Sequence, residues 1–240
     1  MQAFHNYATW KIPLIGVDMK TNRNMIKVGI VRVVSLSDPE ILNYHGRVLE
    51  EIIPGISTES RCIHDQPKGV YNEDSKSEAA VKVVDLIKEF SEYVDVLIVS
   101  CTEDPGVREA REVSRVPVIG AGRAAASLSL SYGDNIGVLG LGEEPTKPIR
   151  EVLGDKIKVY RGLNGSTTID LFTPSGRDRA LRAAIDICRE KVDCLLLGCT
   201  GFTTINLYNK LKYRIAKPVI DPVIASGLIA FYEAKRSERT

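Results

Sequence analysis

Residues 94–102 read V-D-V-L-I-V-S-C-T, and residues 192–200 read V-D-C-L-L-L-G-C-T. Five of the nine positions are identical, and both runs are apolar stretches that close on Cys-Thr. A Pro-Val-Ile follows each, at Pro117, 16 residues after Cys101, and at Pro218, 19 residues after Cys199. Upstream, Ile26–Val31 resembles Asn135–Gly140, and each opens a half that later reaches Cys-Thr. A strand that ends on the same thiol twice points to a duplicated fold with one cysteine per half.

Around these runs, short apolar segments alternate with helical patterns. Strands are expected at 27–34, 94–100, 116–119, 135–139, 156–160, 194–198 and 218–220. They are rich in Val, Ile and Leu without polar alternation, as in strands buried on both faces of a parallel sheet. Helices are expected at 39–53, 76–92, 105–114, 122–132, 146–153, 176–190, 204–213 and 222–235. In 76–92, Ala79, Ala80, Val83, Val84, Ile87 and Phe90 share one face, with Ser75 or Ser77 as the cap. Asp-Pro stands at three of the helix starts, Asp38-Pro39, Asp104-Pro105 and Asp221-Pro222, where aspartate as N-cap and proline at the first position explain it locally.

The alternation implies an α/β fold of two pseudo-symmetric parallel-sheet domains. Residues 25–121 with 222–240 are expected to form the first and 122–221 the second. Residues 1–24 read as an extension outside the core, or as a start codon assigned too early. They show no apolar segment with a small-residue cleavage site, so a secretion signal is not expected.

Composition narrows the function. A net charge of +1 gives no electrostatic case for nucleic acid or an anionic membrane. No apolar run approaches the roughly 18 residues that span a bilayer. Five cysteines, an odd number without framework spacing, fit a reducing cytoplasm. No Cys-x-x-Cys occurs and His5, His45 and His64 are scattered, so no metal site is expected. Gly120-Ala121-Gly122 precedes a helix but lacks the signatures of a nucleotide loop.

Sites in parallel α/β sheets form beyond the carboxyl ends of the strands. Cys101 and Cys199 belong at that edge, before helices whose N–H groups lower a thiol's pKa and bind carbonyl oxygens. If the halves face one another, two thiols flank one cleft. One thiolate then removes a proton from carbon beside a carbonyl, and the opposite thiol returns one to the other face.

The residues Cys101-Thr102-Glu103-Asp104-Pro105-Gly106-Val107, Ala110-Arg111-Glu112, Pro117-Val118-Ile119-Gly120 and Leu197-Gly198-Cys199-Thr200-Gly201 resemble the aspartate/glutamate/hydantoin racemase superfamily, most of all its hydantoin branch. The resemblance spans most of 26–235. It implies two flavodoxin-like domains with the active site between them, cofactor-independent racemisation, and Cys101 and Cys199 as the two bases. It also implies a small-molecule substrate with an acidic C–H beside a carbonyl, and a homo-oligomer. Cys-Thr-Glu stands where amino-acid racemases of the superfamily usually show Cys-Asn-Thr, and Gly201 where glutamate racemases tend to show histidine. Both departures favour a ring such as a 5-substituted hydantoin over a free acidic amino acid. Arg32-Val33-Val34-Ser35-Leu36-Ser37 stands where hydantoin racemases usually show an asparagine-rich turn.

Substrate contacts are expected from Ser35, Ser37, Thr102, Glu103, Thr200 and Gly201. For the two threonines helix capping is an equal reading, as it is for Asp104. The loop 66–75 could cover the cleft. Cys62, Cys188 and Cys194 read as small core hydrophobes and His45 as part of a helix face. Other readings are an amino-acid racemase, and a cis–trans isomerase or decarboxylase on the same scaffold. A binding module is disfavoured by the duplicated Cys-Thr.

Overall fold

The structure, a computed structural model, describes residues 25–237; the extension expected over 1–24 lies outside them. The strands are β1 (Ile26–Arg32), β2 (Ile56–Cys62), β3 (Val96–Ser100), β4 (Val118–Gly120), β5 (Ile136–Gly140), β6 (Ile157–Gly162), β7 (Cys194–Leu197) and β8 (Val219–Ile220). The helices are α1 (Pro39–Ile52), α2 (Glu73–Phe90), α3 (Val107–Val113), α4 (Ala121–Ser129), α5 (Lys147–Leu153), α6 (Pro174–Cys188), α7 (Gly201–Thr204), α8 (Leu207–Leu211) and α9 (Pro222–Ser237).

The fold is α/β, with two four-stranded, all-parallel sheets of matching order, β2-β1-β3-β4 and β6-β5-β7-β8. The duplicated runs are the third strand of each sheet, β3 and β7, each paired with a central strand, β1 or β5. Residue parity along these strands sends side chains to opposite faces. Val31, Leu97 and Val99 pack under α2 and α3 with Val83, Ile87, Phe90 and Ala110. Val28, Ile30, Val96 and Ile98 pack against Leu49 of α1 and Val223 and Ala230 of α9. In the second sheet Leu139, Leu195 and Leu197 meet Ala180, Ile187, Phe202 and Leu211, while Val138, Cys194 and Leu196 meet Ala125, Ile149 and Leu153. Emptying one of these fully buried positions costs about 3–5 kcal/mol for Phe90→Ala.

The last helix, α9, returns to the first sheet and packs on β3, β4 and α1, while also lying along α4 of the other half. Gly227 permits that approach, because a Cβ there would stand 2.4 Å from the Leu49 side chain.

Three elements differ from the sequence expectation. Strand β2 was not expected, because I-S-T-E-S-R-C alternates polar residues instead of forming an apolar run. As an edge strand it has one sheet neighbour and an exposed flank, which Arg61 guards by pairing with Glu59 and Glu89 and lying 4.2 Å over Phe90. Helix α2 starts three residues before expectation, at a capping box in which Asn72 and Ser75 satisfy each other's backbone N–H. The helix expected over 204–213 is broken into α7 and α8 by Asn206, whose backbone is left-handed at φ 55°.

Candidate functional site between the two halves

Each Cys-Thr turn leaves the carboxyl end of its third strand and enters the cleft between the sheets. Together with the ends of β1 and β5 the turns line one cavity of about 330 Å³. Cys101, Thr102, Glu103, Cys199, Thr200 and Gly201 all reach its wall. Ser35 and Ser37 do not. The Ser35 hydroxyl donates to the Ile63 carbonyl and accepts from the Gln66 N–H, so it braces the loop that follows β2. Ser37 is exposed beyond the cavity, and Asp38 takes the cap of α1 through the Glu40 N–H. Of the 66–75 loop, Val70, Tyr71, Asn72 and Glu73 border the cavity.

The two threonines are engaged reciprocally. Thr102 donates its hydroxyl to the carbonyl of Gly198, the residue before Cys199, at 2.8 Å. Thr200 donates to the carbonyl of Ser100, the residue before Cys101, at 3.1 Å. Each half therefore fixes the backbone that carries the other half's thiol, and both side chains are buried. Neither hydroxyl caps a helix. Thr146 adds a third bond, from its hydroxyl to the Thr102 carbonyl at 2.9 Å.

His45 joins this framework. It is fully buried in α1, with Nδ1 2.8 Å from the Ser100 hydroxyl and Nε2 2.8 Å from the Thr204 hydroxyl. Burial first, and the nearby Arg32 charge second, hold its pKa well below the ordinary histidine value, so it is a neutral bridge at physiological pH. Its position four residues before Leu49 places it on the apolar stripe of α1, the one signal in sequence that it faces inward.

Asp104 does not cap its own helix. Gly106, at φ 67°, precedes α3, and a Cβ there would meet the Ala80 carbonyl at 2.5 Å. Asp104 instead turns to α4, where its carboxylate accepts from the N–H groups of Gly122 and Arg123, both at 2.8 Å. The Gly120-Ala121-Gly122 helix start is therefore filled from within the chain. Gly122 has a steric reason as well, since a Cβ would sit 2.1 Å from the Thr102 carbonyl. Asp221 does cap α9, through the N–H groups of Val223 and Ile224, and also accepts from Thr203. Burial pushes Asp104 up to about 7 and Asp221 up to about 6.

The thiols are equivalent by fold and unequal by surroundings. Burial pushes both up. Around Cys199 the Gly201 N–H donates to Sγ at 3.3 Å, and Thr168, the Phe202 N–H and the Arg32 charge pull in the same, lowering direction. Around Cys101 the Glu103 N–H helps, but the charges of Glu103 and Asp104 add to burial. Gly201 leaves little room for a side chain, because a Cβ would stand 2.9 Å from both Leu171 and Thr168 and 3.3 Å from the Cys199 sulfur.

Several wall residues were not expected from sequence: Arg32, Lys76, Thr146, Arg150, Tyr160 and Thr168. Lys76 pairs with Glu103 at 2.9 Å and with Glu73 at 3.6 Å. Arg150 pairs with Glu144. The Tyr160 hydroxyl lies 2.7 Å from the Gly142 carbonyl and 2.9 Å from that of Glu144, pinning the loop after β5. Among these, only Arg32 left a mark in sequence, as a charge closing an apolar strand.

Residues 50–226 match the family model described as Asp/Glu/Hydantoin racemase, and the chain belongs to this family. It is 28% identical over 145 residues to the hydantoin racemase of Rhizobium meliloti, a match covering 57% of this chain and 59% of that one. It is also 28% identical over 156 residues to the hydantoin racemase of a Pseudomonas species, strain NS671, covering 60% of each chain. The chain thus spans about three fifths of the length of these curated relatives. Among solved structures, the allantoin racemase of Klebsiella pneumoniae superimposes with a TM-score of 0.75 at 20% identity, over 88% of this chain and 89% of that one, a likeness of fold.

Proposed function

We propose that this member of the Asp/Glu/hydantoin racemase family is a cofactor-independent racemase acting at an acidic C–H beside a carbonyl, with Cys101 and Cys199 as the two proton carriers. The observation that supports this most is the arrival of two Cys-Thr turns, from equivalent strands of two matching sheets, at one cavity. Inversion at carbon needs a base on one face and an acid on the other. A duplicated scaffold supplies such a pair, and the roles exchange for the opposite enantiomer.

The substrate favoured by the site is a small cyclic ureide, a 5-substituted hydantoin or a relative of it. A cavity of about 330 Å³ is near the lower end of small-molecule sites and suits a five-membered ring with a short side chain. The curated relatives act on hydantoins by name, and the solved structure quoted above is named for allantoin, itself a substituted hydantoin. In the mechanism Cys199, closer to ionisation, takes the α-proton, and Cys101, held protonated by burial and two neighbouring carboxylates, returns one to the opposite face. Charge developing on the carbonyl oxygen is met by backbone N–H groups of the turns. The threonine clamps tie the backbone that carries each thiol to the opposite half.

The test is α-proton exchange in D₂O with single enantiomers of several 5-substituted hydantoins, aspartate and glutamate, followed by NMR and polarimetry. Deuterium entry with loss of rotation for the hydantoins is the expected result. Exchange only with aspartate or glutamate would transfer the reading to an amino-acid racemase. No exchange in any member would turn it to an isomerase or decarboxylase of the same scaffold.

A further inference from the structure

The charged side chains on the cavity wall are paired, with one exception. Glu73 and Glu103 pair with Lys76, Glu144 pairs with Arg150, and Lys147 lies 3.9 Å from Glu151. Arg32 has no carboxylate partner among the described residues, although it is only 3% exposed. Its hydrogen bonds both leave from Nη1, to the carbonyls of Ile41 and Leu42 at 2.8 Å each. A guanidinium has five N–H donors in a planar fork. Nε and Nη2, the edge that would take a two-oxygen acceptor, have no partner among the described residues. Burial lowers Arg32 to about 10, which leaves it charged at neutral pH.

A buried, unpaired cation with unused donors is expensive unless a ligand completes it. The location decides which ligand. Arg32 closes β1, in register with Ser100 and adjacent to the Cys101 turn, and its charge is felt by Cys199. Among the described residues, the other charged side chains on the wall each lie within ion-pair distance of an opposite charge.

We propose that Arg32 is the substrate-reading residue of this site, and that the substrate presents to its Nε–Nη2 edge a planar anionic acyl group, either a carboxylate or an ionised ring imide. This rests on the cavity being the substrate site and names the group by which that site reads its substrate. Both groups carry two acceptors in one plane and match the fork bidentately. In either case the anion lies beside the acidic carbon, so the same contact that binds the ground state also faces the charge that grows during proton removal.

The experiment is equilibrium binding, by calorimetry or ligand-observed NMR, which needs no turnover. The probes are N-carbamoylalanine, its neutral amide, and 5-methylhydantoin below and above the pH at which its imide ionises. Wild-type protein should bind the carbamoyl acid roughly tenfold or more tighter than the amide, or the hydantoin anion tighter than the neutral ring, as expected for a charge-assisted pair in a buried site. The first outcome names a carboxylate and the second an imide. Arg32→Gln should bring the charged and neutral probes to within about twofold, and Arg32→Lys should retain part of the preference. Equal binding of charged and neutral probes by the wild type overturns the proposal. So does a loss in Arg32→Gln that is equal for both, which would make Arg32 a brace for α1. The wild-type comparison stands whether or not the variants fold, and α-exchange in D₂O reports separately on the racemase reading.

Discussion

Cys101 and Cys199 occupy the same place in two copies of one half-fold, yet they sit in opposite electrostatic company. The first thiol stands beside Glu103 and Asp104; the second receives the Gly201 N–H and faces Arg32. The backbone, which fixes sheet order and strand register, is repeated between the halves. The charges are not. A symmetric scaffold thus carries asymmetric charge: burial raises both thiols, the surroundings of Cys199 oppose that rise, and the carboxylates beside Cys101 add to it.

The largest test of that contrast removes each sulfur in turn. Cys101→Ala and Cys199→Ala should each lower racemisation of either hydantoin enantiomer by about 10²–10⁴-fold, the range for a positioned acid or base. Polarimetry reads the loss, and full activity in either variant would sink the two-thiol mechanism. A sharper test separates the thiols by reactivity. Iodoacetamide near neutral pH, followed by peptide mass spectrometry, should modify Cys199 faster than Cys101, since its surroundings oppose the rise that burial causes while those of Cys101 add to it. Arg32→Gln should narrow that ratio, and an unchanged ratio would show that the N–H donors alone set it.

The clamps test what the halves share. Thr102→Val and Thr200→Val each strip a buried carbonyl of its donor and should cost about 1–3 kcal/mol apiece in urea unfolding, by similar amounts because the bonds are equivalent. A large inequality would mean that one half holds the other. The smallest expected effect is a pH dependence. Asp104 and Asp221 are raised from 3.8 to about 7 and about 6, so the fold favours their protonated forms. Their contribution to stability is complete below about pH 4 and is lost as pH rises through 6 to 7. Asp104→Asn should flatten the upper part of that window in urea midpoints measured from pH 4 to 7.5, roughly the interval over which linkage acts.

Sequence carried the duplication because the third strands are buried on both faces, and burial restricts them to Val, Ile and Leu whatever surrounds them. Strand β2 escaped for the converse reason: at a sheet edge its alternate residues meet water, so Ile56–Cys62 shows no continuous apolar run. The threonines were legible as neighbours of the thiols, but their work was not. A hydroxyl that reaches 96 residues along the chain to Gly198 leaves no local trace. Asp104 was misread for a related reason, since Asp-Pro is the same signal whether the carboxylate caps the next helix or one 18 residues on. Ser35 lay on the correct sheet edge but turned its hydroxyl to Ile63 and Gln66. His45 lies on the apolar stripe of α1 and Arg32 closes an apolar strand, and that mismatch is the general sign by which both could be suspected.

The return of α9 to the first sheet has a consequence for how the molecule is made. The ribosome delivers β1 to β4 early, but the face formed by Val28, Ile30, Val96 and Ile98 has only Leu49 and Ile53 of the α1 region for cover until Val223 and Ala230 emerge, after the whole second sheet. The second sheet, by contrast, is contiguous in the chain from β5 to β8. The half encoded later is thus able to close first, and the half encoded first waits with a partly open apolar face for the last helix. A chain cut short before Pro222 would leave part of that face in water, so burial of the first sheet waits on synthesis of the second.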